Sequence, residues 1–407
     1  MNDTPALRIQ PPAFLREPGL ASVLAPLPEA RVVGGAVRDT LAQREVTDID
    51  LATPRTPEQI TQALQSANIR AVPTGIEHGT VTAVADGRGY EITTLRRDIE
   101  TDGRHAVVAF TNDWREDAAR RDFTINAMSM ARDGAIYDYF GGIADIRAGI
   151  VRFVGDPATR IAEDYLRILR FFRFFARYAS GPPDASAVAA IRAGVPGLAG
   201  LSAERVWSEL VRILAAPDPR AAIALMTELG VLAAVLPEGA EPTRLAALIE
   251  AGAPQDPLLR LAALLSGDAA SLAARLRLST ADRDRLLALR VGPVPRPADD
   301  DAQLRRLLAD NDAALLIDRA WLAGGNAPGW AALRQRLASL PHPIFPLEGR
   351  DVLALGEPEG PQVGALLRAV RQWWLDGGCV ADHQACLAEL TSHLNPSSPP
   401  AGAERSG

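Results

Sequence analysis

Lysine is absent from this sequence, so all 43 basic residues are arginine. Arginine forks onto phosphates, stacks on bases and reads base edges with paired donors. Positive charge is not in surplus either, since 50 acidic residues leave a formal net charge of −7. That argues against a protein coated in positive charge for DNA, and neither DNA nor a membrane is an expected partner. RNA is not excluded, because affinity for phosphate follows local arginine density rather than the total. Cysteine is limited to Cys379 and Cys386, in "CVADHQAC". Two cysteines give no disulfide framework. With His383 between them a zinc site would still want four ligands at tighter spacing, so idle or buried thiols on a helix are the better reading. No apolar run is long enough to span a bilayer, and "MNDTPALRIQPPAFL" carries an early acid and no hydrophobic segment, so no signal peptide is expected and the cytoplasm is the default compartment. Aromatic residues make up only 5%.

What is present is length and helix-forming composition. With 407 residues the chain is too long for one ordinary domain and fits two to four. Residues 1–25 hold many prolines and read as an irregular lead-in. A mixed head follows, over 26–155. "ARVVGG" reads as a buried strand, "AVRDTLAQR" as a helix and "DIDLAT" as a short strand. "TPEQITQALQSAN" is a helix capped by Thr56 with Pro57 in its first turn. "GTVTAVADGRGYEITTL" predicts a hairpin around Asp86-Gly87, and "GAIYDYFGG" another strand and turn. From about 155 strand signals fade. "PATRIAEDYLRILRFFRFFARYA" has apolar residues at three- and four-residue steps with arginines between, which predicts a helix. A helical neck over 156–238 and a helical body and tail over 239–395 follow, broken by "VGPVPRPADDD"; 396–407 reads as disordered. No fixed-period repeat stands out.

The chemistry concentrates in "RVVGGAVRDTLAQREVTDIDLAT". In a strand, Asp48 and Asp50 point to one face, where two carboxylates converge on a place suited to Mg²⁺. Two such ions can activate a hydroxyl and bridge the phosphates of a nucleoside triphosphate. An isolated Asp-x-Asp is more simply a turn or cap. Here, however, Gly34 and Gly35 lie between a strand and a helix, where backbone N–H groups can approach a phosphate, and Arg38 lies one turn in. A third carboxylate belongs on a neighbouring strand. Glu91 is the best candidate, against the alternative of a solvated hairpin residue.

Together these residues resemble the class II tRNA nucleotidyltransferases and their bacterial poly(A) polymerase relatives, within the polymerase-beta-like nucleotidyltransferase superfamily. "GGAVRD" with "TDIDLAT" resembles the catalytic motif, and "RRDFTINAM" the motif for sugar and phosphate. "EDYLRILRFFRF" resembles the base-selecting motif, and "LSAERVWSELVRIL" its helical support. The resemblance is dense over about residues 30–240 and weaker in "LEGRDVLALGEPEGPQVGALLRAV".

The resemblance implies an α+β fold: a polymerase-beta-like head of mixed sheet and helices, then an all-helical neck, body and tail. It implies an enzyme that adds CCA to tRNA 3′ ends from CTP and ATP with Mg²⁺. Asp48 and Asp50 would hold the metal, with Glu91 the candidate third catalytic carboxylate. Gly34, Gly35 and Arg38 would cradle the triphosphate, and Arg120 and Arg121 would hold phosphates. Asp122 or Asn126 would contact the ribose or brace the site. Asp164 and Arg167, three apart and so on one helix face, would read the base, the alternative being an ion pair within the helix. Arg170 is a further contact for phosphate or RNA, with Arg173 and Arg177 weaker ones. The polar stretch "RRDIETDGRHAVVAFTNDWRED", 96–117, reads as a long loop of the lid kind. In the family a flexible loop there accompanies the change from C to A, which favours full CCA addition; His105 within it reads as idle. None of the five histidines precedes an Asp, so the His-Asp phosphohydrolase of some relatives is not expected. The competing readings are a poly(A) polymerase or A-only adder, a silent RNA-binding relative, and a small-molecule nucleotidyltransferase.

Overall fold

The computed structural model describes residues 3–75, 79–101 and 106–394. His105 and the tail from 396 onward lie outside them. The chain divides into two compact units: Met1–Pro242 with Leu272–Leu278, and the remainder.

The first unit opens with β1 (Leu7–Arg8), α1 (Pro18–Leu24), β2 (Arg31–Val33), α2 (Gly35–Leu41), β3 (Asp50–Thr53) and α3 (Pro57–Ser66). It continues through β4 (Arg70–Gly75), β5 (Thr80–Ala85), β6 (Arg88–Thr94), β7 (Arg96–Thr101) and β8 (Ala106–Phe110). Then come α4 (Trp114–Ala119), β9 (Met128–Met130), β10 (Ala135–Asp138) and α5 (Gly142–Ala148). Eight of the strands form one sheet in the order β1-β10-β9-β2-β3-β6-β5-β4, while β7 and β8 pair separately. Thr56 caps α3 in a capping box with Gln59, which satisfies two backbone donors that the helix itself cannot. Asp86 and Gly87 both take positive φ, the geometry a two-residue hairpin turn requires. Leu20, Val23, Ile60 and Leu64 from α1 and α3 bury completely with Val81 and Ile92 of the sheet, each contributing about 1.5–3 kcal/mol.

Three expectations change. The lead-in is structured: Leu7 pairs with Ile136 and Arg8 with Ala135, and Pro18 sits at the first position of α1, where proline starts a helix rather than breaking one. The stretch 96–117 is not a long loop, since its described part forms β7, β8 and α4. Its strand period is hidden by a register shift between Asp98 and Glu100. Finally, β3 begins at Asp50, so Asp48 precedes the strand.

The rest of the first unit is helical: α6 (Pro157–Glu163), α7 (Leu166–Tyr178), α8 (Ala185–Gly194), α9 (Ala203–Leu214), α10 (Arg220–Glu228) and α11 (Val231–Val235). Helix α7 buries Ile168, Leu169, Phe171, Phe172 and Phe175. Phe171 meets Phe153 in a stack 6.0 Å between centroids, and Phe123 meets Phe174 edge-on at 5.2 Å. This aromatic seam seats the helix against the segments that carry Arg120–Asn126.

The elements beyond residue 242 are all helices: α12 (Pro242–Glu250), α13 (Pro257–Leu264), α14 (Ala269–Arg275), α15 (Thr280–Arg290), α16 (Asp301–Leu308), α17 (Ala313–Gly324), α18 (Trp330–Ser339), α19 (Gly349–Ala354), α20 (Pro361–Asp376) and α21 (His383–Leu394). Arginines close several of their C-termini from elsewhere in the chain. Arg319 donates to Ala288 O at 2.9 Å and Val291 O at 2.6 Å, behind α15. Arg306 donates to Leu375 O and Asp376 O at 2.7 Å, behind α20. A forked guanidinium satisfies several orphan carbonyls at once and complements the negative end of the helix dipole. Cys379 and Cys386 are buried free thiols in the apolar cluster of Val352, Val370 and Trp374.

Candidate active site

Strand register places the acidic residues. Val33, the last residue of β2, lies opposite Asp50, so the turn at Gly34 begins beside that carboxylate. On its other side β3 runs parallel to β6, and Asp50 lies opposite Glu91. Ile49 is buried while Asp48, outside the strand, and Asp50 are both exposed. Partial enclosure raises the pKa of Asp50, and the charges of Glu91 and Asp48 add to the rise while Arg121 opposes it. The charges of Glu91 and Asp48 thus both act on Asp50. Gly34 takes φ +66°, and a Cβ there would come within 3.2 Å of Arg121 Nη1. Glycine supplies both the backbone angle and the room.

In front of these residues lies a cleft of about 650 Å³. Its walls include Gly34, Gly35, Arg38, Asp50, Arg120, Arg121, Asp122, Asn126, Asp164, Arg167 and Arg170. All of these are expected site residues. Asp48 and Glu91 are not among the residues that line the cleft. Arg96, Leu166, Arg173, Phe174 and Arg205 complete the lining.

The cationic wall is held by buried acids. Asp117 takes Arg120 Nε at 2.9 Å and Arg121 Nη2 at 3.1 Å. Burial would raise its pKa, but the two guanidinium groups outweigh that and lower it. Asp122, only 8% exposed, accepts Arg170 Nε at 2.7 Å on one oxygen and Asn126 Nδ2 at 3.0 Å and Phe123 N at 2.9 Å on the other. Against its burial, Arg170 and these bonds hold its carboxyl below the usual range. With both oxygens engaged, Asp122 braces Arg170 and Asn126. Arg173 donates to the buried Glu209 at 3.1 Å. Burial pushes its pKa down to about 10; Glu209 opposes that, and Arg170 and Arg212 add to it, so it remains a cation at neutral pH.

The expected helix face of Asp164 and Arg167 is not formed. Asp164 has φ −158° and ψ 107°, and it ends α6 in extended geometry. Its Oδ1 accepts from Leu166 N at 3.1 Å and so starts α7. Asp is a helix-capping residue, and here that local bond competes with helix continuation. No Asp164–Arg167 ion pair forms. Instead Asp164 Oδ2 accepts from Arg205 of α9 at 2.7 Å, and Arg167 pairs with Glu163 and donates to Arg160 O at 2.8 Å. Both side chains still line the same cleft.

Residues 30–152 match the family described as Poly A polymerase head domain, and 183–241 that described as Probable RNA and SrmB- binding site of polymerase A. The mitochondrial CCA tRNA nucleotidyltransferase 1 of Mus musculus is 38% identical over 370 residues, 86% of this chain and 83% of the relative. The chain belongs to the CCA-adding tRNA nucleotidyltransferase family. The CCA-adding enzyme of Levilactobacillus brevis is 31% identical over 386 residues, covering 89% and 94%. The crystal structure of the Bacillus stearothermophilus CCA-adding enzyme in complex with CTP superposes with a TM-score of 0.74 at 28% identity, covering 93% of this chain and 98% of that one.

Within this family member, sequence reading missed Asp117 and Arg205. Asp117 had a local signal, since Arg120 and Arg121 follow it by three and four residues, just past the C-terminal end of α4. Arg205 had none beyond its motif, because its partner is 41 residues away. The donor set fits a magnesium ion. Among the described residues no group of three or more His, Cys, Asp and Glu closes into a ready-made metal cage. In general a magnesium ion needs only one or two protein carboxylates together with substrate phosphates, and a cation there would offset the charges that raise the pKa of Asp50.

Proposed function

We propose that the chain adds CCA to the 3′ end of tRNA, taking nucleotides in turn from CTP and ATP. The observation that carries this reading is one cleft bordered by Asp50, the glycine turn, a wall of arginines, and Asp164 with Arg167. In the proposed reaction the tRNA 3′-hydroxyl attacks the α-phosphate in line, and pyrophosphate leaves. Asp48 and Asp50 would hold Mg²⁺, with Glu91 beside them as a third carboxylate. When bound, the metal supplies positive charge that favours the alkoxide and the phosphate oxygens. Arg38, Arg120, Arg121 and Arg170 bind the triphosphate chain, and the glycine turn lets it approach the backbone.

Base choice falls to Asp164 and Arg167. A carboxylate offers about four acceptor sites, and Leu166 N and Arg205 use two at Asp164. The others can accept the exocyclic amino group that cytosine and adenine present on their pairing edges. Uracil presents a carbonyl there and is repelled. Arg167 donates to the adjoining ring nitrogen. No nucleic-acid template is needed.

The same proposal assigns residues 26–155 to a catalytic head, 156–238 to a neck, and the helical 239–395 to tRNA, which duplex RNA invites by shape and backbone. Among the described residues no helix is long and apolar enough to cross a membrane. The two free thiols fit a reducing compartment, and a cytoplasmic location is included in the proposal. Purified protein given labelled CTP and ATP should restore CCA on tRNA lacking it, and Asp50→Asn should lose that addition while still retaining tRNA on a filter. Extension with A alone, or no extension, would overturn the proposal.

A further inference from the structure

The side chain of Arg38 is fixed from behind by a chain of contacts that ends on α7. Asp39 takes Arg38 Nε at 3.1 Å on Oδ1 and Nη2 at 2.8 Å on Oδ2. Asn126 Oδ1 takes Nη1 at 2.7 Å. These bonds use three of the five guanidinium N–H groups and leave two for a ligand in the cleft. Asp39 is itself held from one further direction. Tyr178 Oη donates to its Oδ1 at 2.5 Å, and the Tyr178 ring centroid lies 4.6 Å from the Arg38 guanidinium carbon. Side-chain exposure is only 11% for Arg38 and 15% for Asp39, so water is a poor substitute for the missing donor. Burial pushes the Tyr178 pKa up, the Arg38 cation opposes this, and the bond to Asp39 adds to the rise. The phenol therefore keeps the proton it donates.

We propose that Tyr178 is a positioning residue for the triphosphate: its hydroxyl orients Asp39, and through it the two remaining N–H groups of Arg38. The inference rests on the assignment of Arg38 to the triphosphate made above. Its further content comes from where Tyr178 sits. It is the last residue of α7, and Arg167 is in the first turn of that helix. The eleven steps between them span about 16 Å of rigid helix. Arg44 donates to Arg177 O at 2.7 Å and fixes the same helix end to the loop after α2. One element therefore sets the separation between the base-reading end of the cleft and the triphosphate-gripping end. CTP and ATP share the triphosphate, so a fault at Tyr178 is blind to the base.

Tyr178→Phe keeps the ring and removes only the donor. The test is steady-state CTP addition to tRNA lacking CCA and ATP addition to tRNA ending in CC, with pyrophosphate titrated into each protein by calorimetry. The KM for both nucleotides should rise about tenfold, the loss expected for one hydrogen bond to a charged group, with kcat within about twofold of wild type. Pyrophosphate affinity should fall by the same factor. Asp39→Asn, which keeps the shape, should reproduce the pattern. An unchanged KM and pyrophosphate affinity, a rise confined to one nucleotide, or a loss seen only in kcat would each overturn the inference. A wild-type protein that bound pyrophosphate but extended no tRNA would instead count against the proposed function, leaving the binding comparison between wild type and Tyr178→Phe intact.

Discussion

Replacing Asp122 by asparagine keeps the shape of a buried side chain and removes its charge. The carboxylate now accepts from Arg170, Asn126 and the Phe123 amide, and both its oxygens are used. An asparagine must turn its NH₂ toward either Arg170 or the Asn126 amide, so donor faces donor. Losing a charge-assisted bond costs about 1.5–3 kcal/mol, and breaking a fully buried ion pair about 3–5 kcal/mol. The Arg170 side chain is 33% exposed, so water reaches it and the lower range applies, about 2–3 kcal/mol. Two units make whole-chain unfolding a poor reporter. Hydrogen exchange followed by mass spectrometry on peptides from 120–128 and α7 reads local opening instead. Exchange there should speed up about 30- to 150-fold. Arg170→Met in the same background should recover part of the loss, because the uncompensated cation is gone. The pH dependence has a definite sign. The folded pKa of Asp122 is depressed, so its contribution is complete above the unfolded value of about 3.9 and fades as pH falls through the folded value. Wild type and variant should therefore begin to converge below about pH 4 and meet once the pH has fallen through the folded value. Additive effects of the two substitutions, or a gap that persists in acid, would refute the reasoning.

Two further outcomes follow from other parts of the chain. Arg167→Ala should relax the choice among CTP, ATP, UTP and GTP more than it weakens triphosphate binding; equal losses of kcat/KM for all four would mean it touches phosphate only. Arg319→Lys should destabilise the second unit by about 2–4 kcal/mol, because an ammonium cannot reach both Ala288 O and Val291 O as the fork does. Calorimetry should show the corresponding transition falling by about 5–10 °C, and an unchanged transition would show those carbonyls to be satisfied otherwise.

Much of the site was legible because its signals are local. The glycine turn after a strand, the aspartates flanking Ile49, the Thr56 cap and the Asp86-Gly87 turn are each written within a few neighbouring residues. Backbone sterics and hydrogen bonding act over that same range. Asp48 and Asp50 are both exposed on either side of a buried Ile49, although the strand starts only at the second. The sequence by itself therefore determined the helices after 155, the hairpin of β5 and β6, and most of the residues that line the cleft. Tertiary structure alone decided which arginine meets which acid. Asp164 and Arg167, three apart, suggested a pair of their own; packing of α9 gave Asp164 to Arg205, and the capping of α7 broke the helix they were to share. Tyr178 meets Asp39 across 139 residues, and Arg170 meets Asp122 across 48. A guanidinium forms its ion pair with whichever carboxylate the packed core carries to within 3 Å of it, and that distance is a property of the assembled fold, not of any stretch of chain.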